Sequence, residues 1–103
     1  MGKKEGKIED AICDYAKDLG FEVRKVKFIA VEGCPDRMFY GHGEIFFIEV
    51  KTPTGKLRPA QVREIYKLRK AGIKVFVVDN ILDGELIIDG AIMSACKEPD
   101  SVI

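Results

Sequence analysis

The sequence predicts an α/β layered domain, a mixed β-sheet flanked by helices. Three observations predict it. The N-terminal segment has an apolar stripe of helical period, three strand-like runs follow it, and a second helical stretch then leads into a fourth apolar run. Neighbouring strands joined by short turns pair antiparallel, whereas a strand–helix–strand unit crosses over right-handed to a parallel partner. With 103 residues the chain has the size of one domain around one core.

In residues 5–19, Ile8, Ile12, Tyr15, Ala16 and Leu19 make one helical stripe, and Gly20 suits the stop. FEVRKVKFI (21–29) reads as the first strand. AVEGCPD (30–36) is a loop broken by Gly33 and Pro35, and RMFYG (37–41) is a short second strand. GHG (41–43) is a tight hairpin turn into EIFFIEVKT (44–52), the third and most apolar strand. PTGKLRP (53–59) is a loop. Pro59 suits the first turn of a helix that runs to about residue 71 and ends near Gly72. KVFVVD (74–79) is the fourth strand. The tail, 81–103, is expected to hold one short helix around 89–97 and a frayed end.

Composition is that of a globular chain, 47% hydrophobic and 33% charged. No apolar run approaches the roughly 20 residues of a membrane span, so no membrane association is expected. MGKKEGKIED has no apolar segment behind its basic residues, and Gly6 stands where a myristoylation site needs Ser or Thr. The cysteines at 13, 34 and 96 include no CxxC pair, which argues against a disulfide framework or zinc knuckle and for a reducing, cytoplasmic setting. Net charge is zero but segregated. Residues 56–74 carry seven basic groups against one acid, and residues 75–103 carry one lysine against six acids. A concentrated basic segment can hold a polyanion even when the total charge vanishes.

The third strand contains the anomaly. Side chains alternate along a strand, so Ile45, Phe47, Glu49 and Lys51 share one face, and Phe46, Ile48 and Val50 the other. A lone buried charge costs several kcal/mol unless it is paired or bound to metal. One explanation is a local Glu49–Lys51 ion pair at a frayed strand end. Three other residues favour a functional one. Asp36 sits at a sharp Gly- and Pro-bracketed approach to the second strand. Glu9 borders the packed stripe of its helix, while Asp10, Asp14, Lys17 and Asp18 fall on the far face. Gln61 lies on the buried side of its helix, between Ile65 and Leu68. Each has an ordinary structural explanation alone: a turn cap, an edge residue, a helix cap. Together they place three carboxylates, a lysine and a glutamine near one strand end, the oxygen-rich setting that Mg²⁺ takes while keeping several waters. A lysine beside such a site can orient or deprotonate water and offset phosphate charge.

The PD at 35–36, followed by EVK 13 positions beyond the aspartate, resembles the PD-(D/E)xK nuclease superfamily. The longer segments KIEDAICDYAKDLG, GCPDRMFY, IFFIEVKTPTGKLRPAQ and LRKAGIKVFVVD resemble, in order, the virus-type replication-repair nuclease (VRR-NUC) domain. The resemblance spans residues 5–80 of a single domain, 1–103, and leaves 81–103 as an extension. It implies a restriction-endonuclease-like αβββαβ core, the order read above. It implies that Glu9, Asp36, Glu49 and the Val50 carbonyl hold Mg²⁺ or Mn²⁺, that Lys51 is the catalytic lysine, and that Gln61 is the family's helix glutamine. The implied activity is metal-dependent DNA phosphodiester hydrolysis, with no small-molecule cofactor. For stand-alone members of this length, from phages and bacteria, it is a homodimer acting on branched DNA such as four-way (Holliday) junctions. A nickase or restriction-like nuclease on duplex DNA, and a non-catalytic DNA-binding subunit, are the alternatives. Lys56 and Arg58 before the second helix, and Arg63, Lys67 and Lys70 on its exposed side, are the candidate phosphate contacts. Arg37 could meet a phosphate or pair with an acid. His42, in the turn, is read as a surface residue. ILDGELIIDGAIMSA (81–95) is the candidate for part of a dimer surface.

Overall fold

A computed structural model describes residues 3–52 and 54–95. The elements run α1 (Lys3–Asp18), β1 (Glu22–Lys25), β2 (Arg37–Gly41), β3 (Glu44–Val50), α2 (Pro59–Lys70), β4 (Lys74–Val78) and α3 (Ile81–Ala95). One four-stranded sheet has the order β1-β2-β3-β4. The first three strands form an antiparallel meander, and β4 joins β3 in parallel after the α2 crossover. The predicted mixed sheet flanked by helices is the observed one. Among the described residues no helix is long and apolar enough to cross a membrane.

Alternation on the strands divides the core into two. Phe39, Phe46, Ile48, Val50 and Val78 pack with Ile12 and Ala16 of α1 and Ile88 and Ala91 of α3. Phe47 and Val75 point the other way, onto Ile65 and Leu68 of α2. The helices therefore cover both faces. Aromatic packing anchors the first side: Phe39 and Phe46 stack with ring centroids 5.3 Å apart, and Phe21 and Phe76 meet Phe46 edge-on.

The turn between β2 and β3 has two central residues, His42 and Gly43, at φ 51° and 78°. Positive φ at both matches the twist of the hairpin. His42 is exposed, as its turn position predicts, but its Nε2 lies 2.6 Å from the Leu19 carbonyl and its ring packs on Phe21. It thereby ties the hairpin to the end of α1.

Two boundaries differ from the sequence reading. β1 ends at Lys25 rather than continuing to residue 29. Val26 still donates to the Asp36 carbonyl, at 3.0 Å, but the next position on the partner is Pro35, which has no N–H to continue the ladder. α3 begins at Ile81, eight residues before the expected start at 89. Asn80 caps it: its Oδ1 accepts from the Asp83 N–H and its Nδ2 donates to the Asp83 carboxylate. Gly84, which reads as a breaker, lies inside the helix because α1 passes too close for a side chain. A Cβ there would stand 2.3 Å from Ile12 Cδ1. The expected frayed end beyond residue 95 lies outside the described residues. Ile88 and Ala91 of α3 face the core, while Leu82, Leu86 and Met93 form an exposed apolar row on the opposite side.

Gly33 fixes where α2 begins. It sits at φ +95°, and a Cβ there would lie 2.2 Å from the Ala60 carbonyl oxygen and 2.9 Å from the Gln61 nitrogen. The 30–36 loop is thus seated directly on the first turn of α2. Gly33→Ala should cost about 2 kcal/mol, the order of a forced left-handed residue plus a displaced contact. A lowered urea midpoint would show it, and an unchanged midpoint would mean that this contact is loose.

Candidate active site

The β2–β3 register assembles the centre of the site. The last ladder pair is Arg37 with Ile48, so the next residues outward, Asp36 and Glu49, stand opposite each other. By alternation both belong to the α2 side of the sheet, with Met38 and Phe47. Glu49 is 2% exposed. Its Oε1 accepts from the Asp36 backbone N–H at 3.1 Å, and its Oε2 accepts from the Gln61 side-chain amide at 3.1 Å. Lys51 Nζ stands 3.7 Å from Oε2, with its side chain 18% exposed.

Gln61 is held at its other end as well. Its Oε1 accepts from the Arg58 backbone N–H at 2.8 Å, closing the N-terminus of α2 as a capping residue does. The oxygen is committed to the cap, so the amide NH₂ must face Glu49. The helix-cap explanation and the functional one are therefore both true of this residue. Among the described residues no buried side-chain oxygen or nitrogen is left without a partner.

Burial, and then the neighbouring Asp36 carboxylate, push the Glu49 pKa above its ordinary 4.5. The Asp36 N–H and the Lys51 ammonium oppose the shift, and Glu9 adds to it. Structure alone would not select two facing acids and one lysine on a buried strand end, because unbalanced negative charge there costs stability.

Glu9 is buried, as the helical wheel predicts, but it does not join this cluster. It pairs with Arg37, whose side chain points to the α1 side of β2. That pairing answers which partner Arg37 takes, and it raises the Arg37 pKa. Among the described residues no three Asp, Glu, His or Cys side chains converge as a metal cage. What converges is the Asp36–Glu49 pair, with the Val50 backbone next along the strand. Two carboxylates, one of them on the wall of a cleft, are a donor set of the kind Mg²⁺ takes, one or two carboxylates with several waters.

Two clefts open at this end of the sheet. One, of about 520 Å³, is bordered by Lys25, Lys27, Cys34, Asp36 and Arg58. The other, of about 320 Å³, is bordered by Lys51, Thr52, Asp79 and Asp83. Of the predicted phosphate contacts, Arg58 lines the larger of these two clefts. Lys56 is exposed in the loop, and Arg63, Lys67 and Lys70 are exposed on the outer face of α2, away from Glu49. Tyr66 is exposed on the same helix, its ring beside the Lys70 ammonium. Arg69 instead covers the Val75 carbonyl. Lys25 and Lys27 were missed by the sequence reading. The signal was the alternation KVKF, whose Val26 and Phe28 pack inward and leave both lysines exposed.

A raised folded-state pKa means that the native chain holds the Glu49 proton more tightly than the unfolded chain does. Stability from this group is therefore complete below about pH 4.5 and is lost as pH rises through the folded value. In EDTA, wild type should lose stability relative to Glu49→Gln as pH is raised from 4.5 toward neutrality. Denaturant melts of both proteins across that range read the difference, and parallel curves would contradict the shift.

Residues 26–80 match the VRR-NUC domain model. The chain is 39% identical over 80 residues to "Putative nuclease p44" of Acyrthosiphon pisum secondary endosymbiont phage 1, a match covering 70% of this chain and 83% of that protein. A solved structure described as a VRR_NUC domain superposes with a TM-score of 0.78 at 33% identity, covering 85% of this chain and 97% of that one.

Proposed function

The chain belongs to the VRR-NUC domain family, and on that premise we propose that it is a metal-dependent DNA endonuclease selective for branched substrates. One observation carries the reading: Asp36 and Glu49 face each other across β2 and β3, with Lys51 beside them, on a buried strand end. This arrangement is costly for the fold and useful for hydrolysis of a phosphodiester. The phage relative's name, which includes the word nuclease, agrees with it.

Asp36, Glu49 and the Val50 carbonyl would hold Mg²⁺ or Mn²⁺. A bound ion of this kind supplies Lewis-acid stabilisation of the phosphate and lowers the pKa of a coordinated water. Lys51 orients the attacking water and offsets charge as it builds on the phosphoryl oxygens. Gln61 keeps the Glu49 carboxylate turned toward the metal position, because its own oxygen is fixed by the helix cap. Glu9 assists indirectly, through its charge and its hold on Arg37. Arg58 meets the DNA backbone at the cleft. Lys56, Arg63, Lys67 and Lys70 meet it further out, where contacts add affinity without sequence preference.

A four-way junction is the substrate we infer, cut by a homodimer. Two symmetric cuts need two sites related by a two-fold axis, and each domain holds one. The exposed row Leu82, Leu86 and Met93 on α3 is the patch that a second copy would cover. A phage-infected or bacterial cytoplasm is the setting.

A labelled four-way junction and a matched linear duplex, incubated with Mg²⁺, Mn²⁺ or EDTA, test the catalytic reading. Wild type should cut the junction only with metal, and Lys51→Ala should lower the rate by about 10²- to 10³-fold. Equal cutting of both substrates would keep the site and remove the selectivity. Tight binding without cutting would favour a DNA-binding subunit. Light scattering at micromolar concentration should give a dimer mass, converted to monomer by Leu86→Glu, and a strict wild-type monomer would refute junction resolution by paired sites.

A further inference from the structure

The end of β1 and the segment from it to Gly33 form one wall of the larger cleft, through Lys25, Lys27, Phe28 and Val31. At its tip Ile29 is 90% exposed, and the next residue, Ala30, is held at φ +66°. A single exposed isoleucine is unremarkable on a protein surface. This one stands on a turn with a left-handed non-glycine residue, at the tip between Phe28 and Val31, which line a cleft that reaches Asp36. Left-handed alanine is uncommon enough to ask what the turn is for. Val26, Phe28 and Leu57 pack the base of the wall onto the α2-side core, so the tip is carried on an anchored stem.

We propose that this loop is the substrate-reading wall of the site. Lys25 and Lys27 hold phosphates of the strand entering the cleft, with Arg58 opposite, and Ile29 presses into an unstacked base step at the branch point. The proposal rests on the nuclease reading and specifies how a branch would be recognised. Charge complementarity identifies the occupant, since three cations line the cleft against Glu32 and Asp36. Apolar side chains of this size wedge between base steps in DNA-bending proteins, and they do so most cheaply where stacking is already broken.

The test uses full-length protein carrying Lys51→Ala, in EDTA, and a four-way junction with 2-aminopurine at the branch. Binding should raise the fluorescence severalfold. Ile29→Ser should remove most of that rise, whereas Ile45→Ser, an equally apolar exposed change at the opposite end of β3, should not. Lys25→Ala with Lys27→Ala should weaken binding about tenfold at 0.1 M salt and flatten the slope of log K against log salt by about 2. Melting temperatures of the variants should match their parent. Absence of a fluorescence rise with the unaltered loop, or a rise that persists in Ile29→Ser, overturns the wedge. So does a mass change in Ile29→Ser, which would make the tip a protein contact. Junction cutting by wild type is scored separately. Lost cutting with an Ile29-dependent signal refutes the nuclease reading alone, and cutting with an Ile29-independent signal refutes the wedge alone.

Discussion

The functional end of this molecule depends on keeping the Glu49 carboxyl inside the fold. Three separate pieces of chain meet to do it. The β2–β3 register brings the Asp36 N–H to one oxygen, the first turn of α2 brings the Gln61 amide to the other, and Lys51 lies two residues along the same strand. None is free to move alone. Asp36 is fixed by the ladder that ends beside it, and Gln61 is fixed by its bond to the Arg58 N–H. The α2 turn is in turn seated against Gly33, where any side chain would collide with the helix backbone. A buried acid that is hydrogen-bonded on both oxygens keeps its orientation, which a positioned catalytic group requires.

The two sides of the sheet treat charge differently. On the α1 side Glu9 is matched by Arg37, one acid to one base, and the pair closes on itself. On the α2 side Lys51 stands beside Glu49, and burial together with the neighbouring Asp36 carboxylate raises the proton affinity of Glu49. A fold that needed only neutral pairing has Arg37 within its own β2 to supply it, yet the register turns Arg37 away. The Asp36 and Glu49 carboxyls are left together on the side of the sheet end where the clefts open.

Much of this was legible in the sequence because it follows from short periodicities. The alternation in FFIEVK assigned Glu49 and Lys51 to one face, and the helical wheels put Glu9 and Gln61 on buried sides. Strand order and the parallel β3–β4 pair followed from chain connectivity. What escaped depended on contacts between distant segments. Whether Glu9 reached Asp36 or Arg37 is decided by which face of β2 each side chain takes, one residue apart, and no local pattern reports it. The early start of α3 takes in Gly84, a breaker by propensity that the close approach of Ile12 requires. Its cap, Asn80 with Asp83, was readable and was overlooked. Lys25 and Lys27 were missed because residues 21–29 read as one continuous strand, past the point where Pro35 ends its pairing.

That ending also explains why the site lies where it does. Pro35 stops the pairing of β1 with β2 one position beyond Asp36, and the two chains separate there. At the same end, β3 and β4 exchange their last bond, from the Lys51 N–H to the Val78 carbonyl, before one chain leaves for the loop to α2 and the other for α3. Parallel neighbours that depart into different layers leave a crevice at their carboxyl ends, the usual ligand position in sheets of this kind. Two divergences on either side of Glu49 thus produce two clefts, one reaching Asp36 and one reaching Lys51. The acid and the lysine of the EVK run lie between them, where a strand of DNA crossing the sheet end would pass over both.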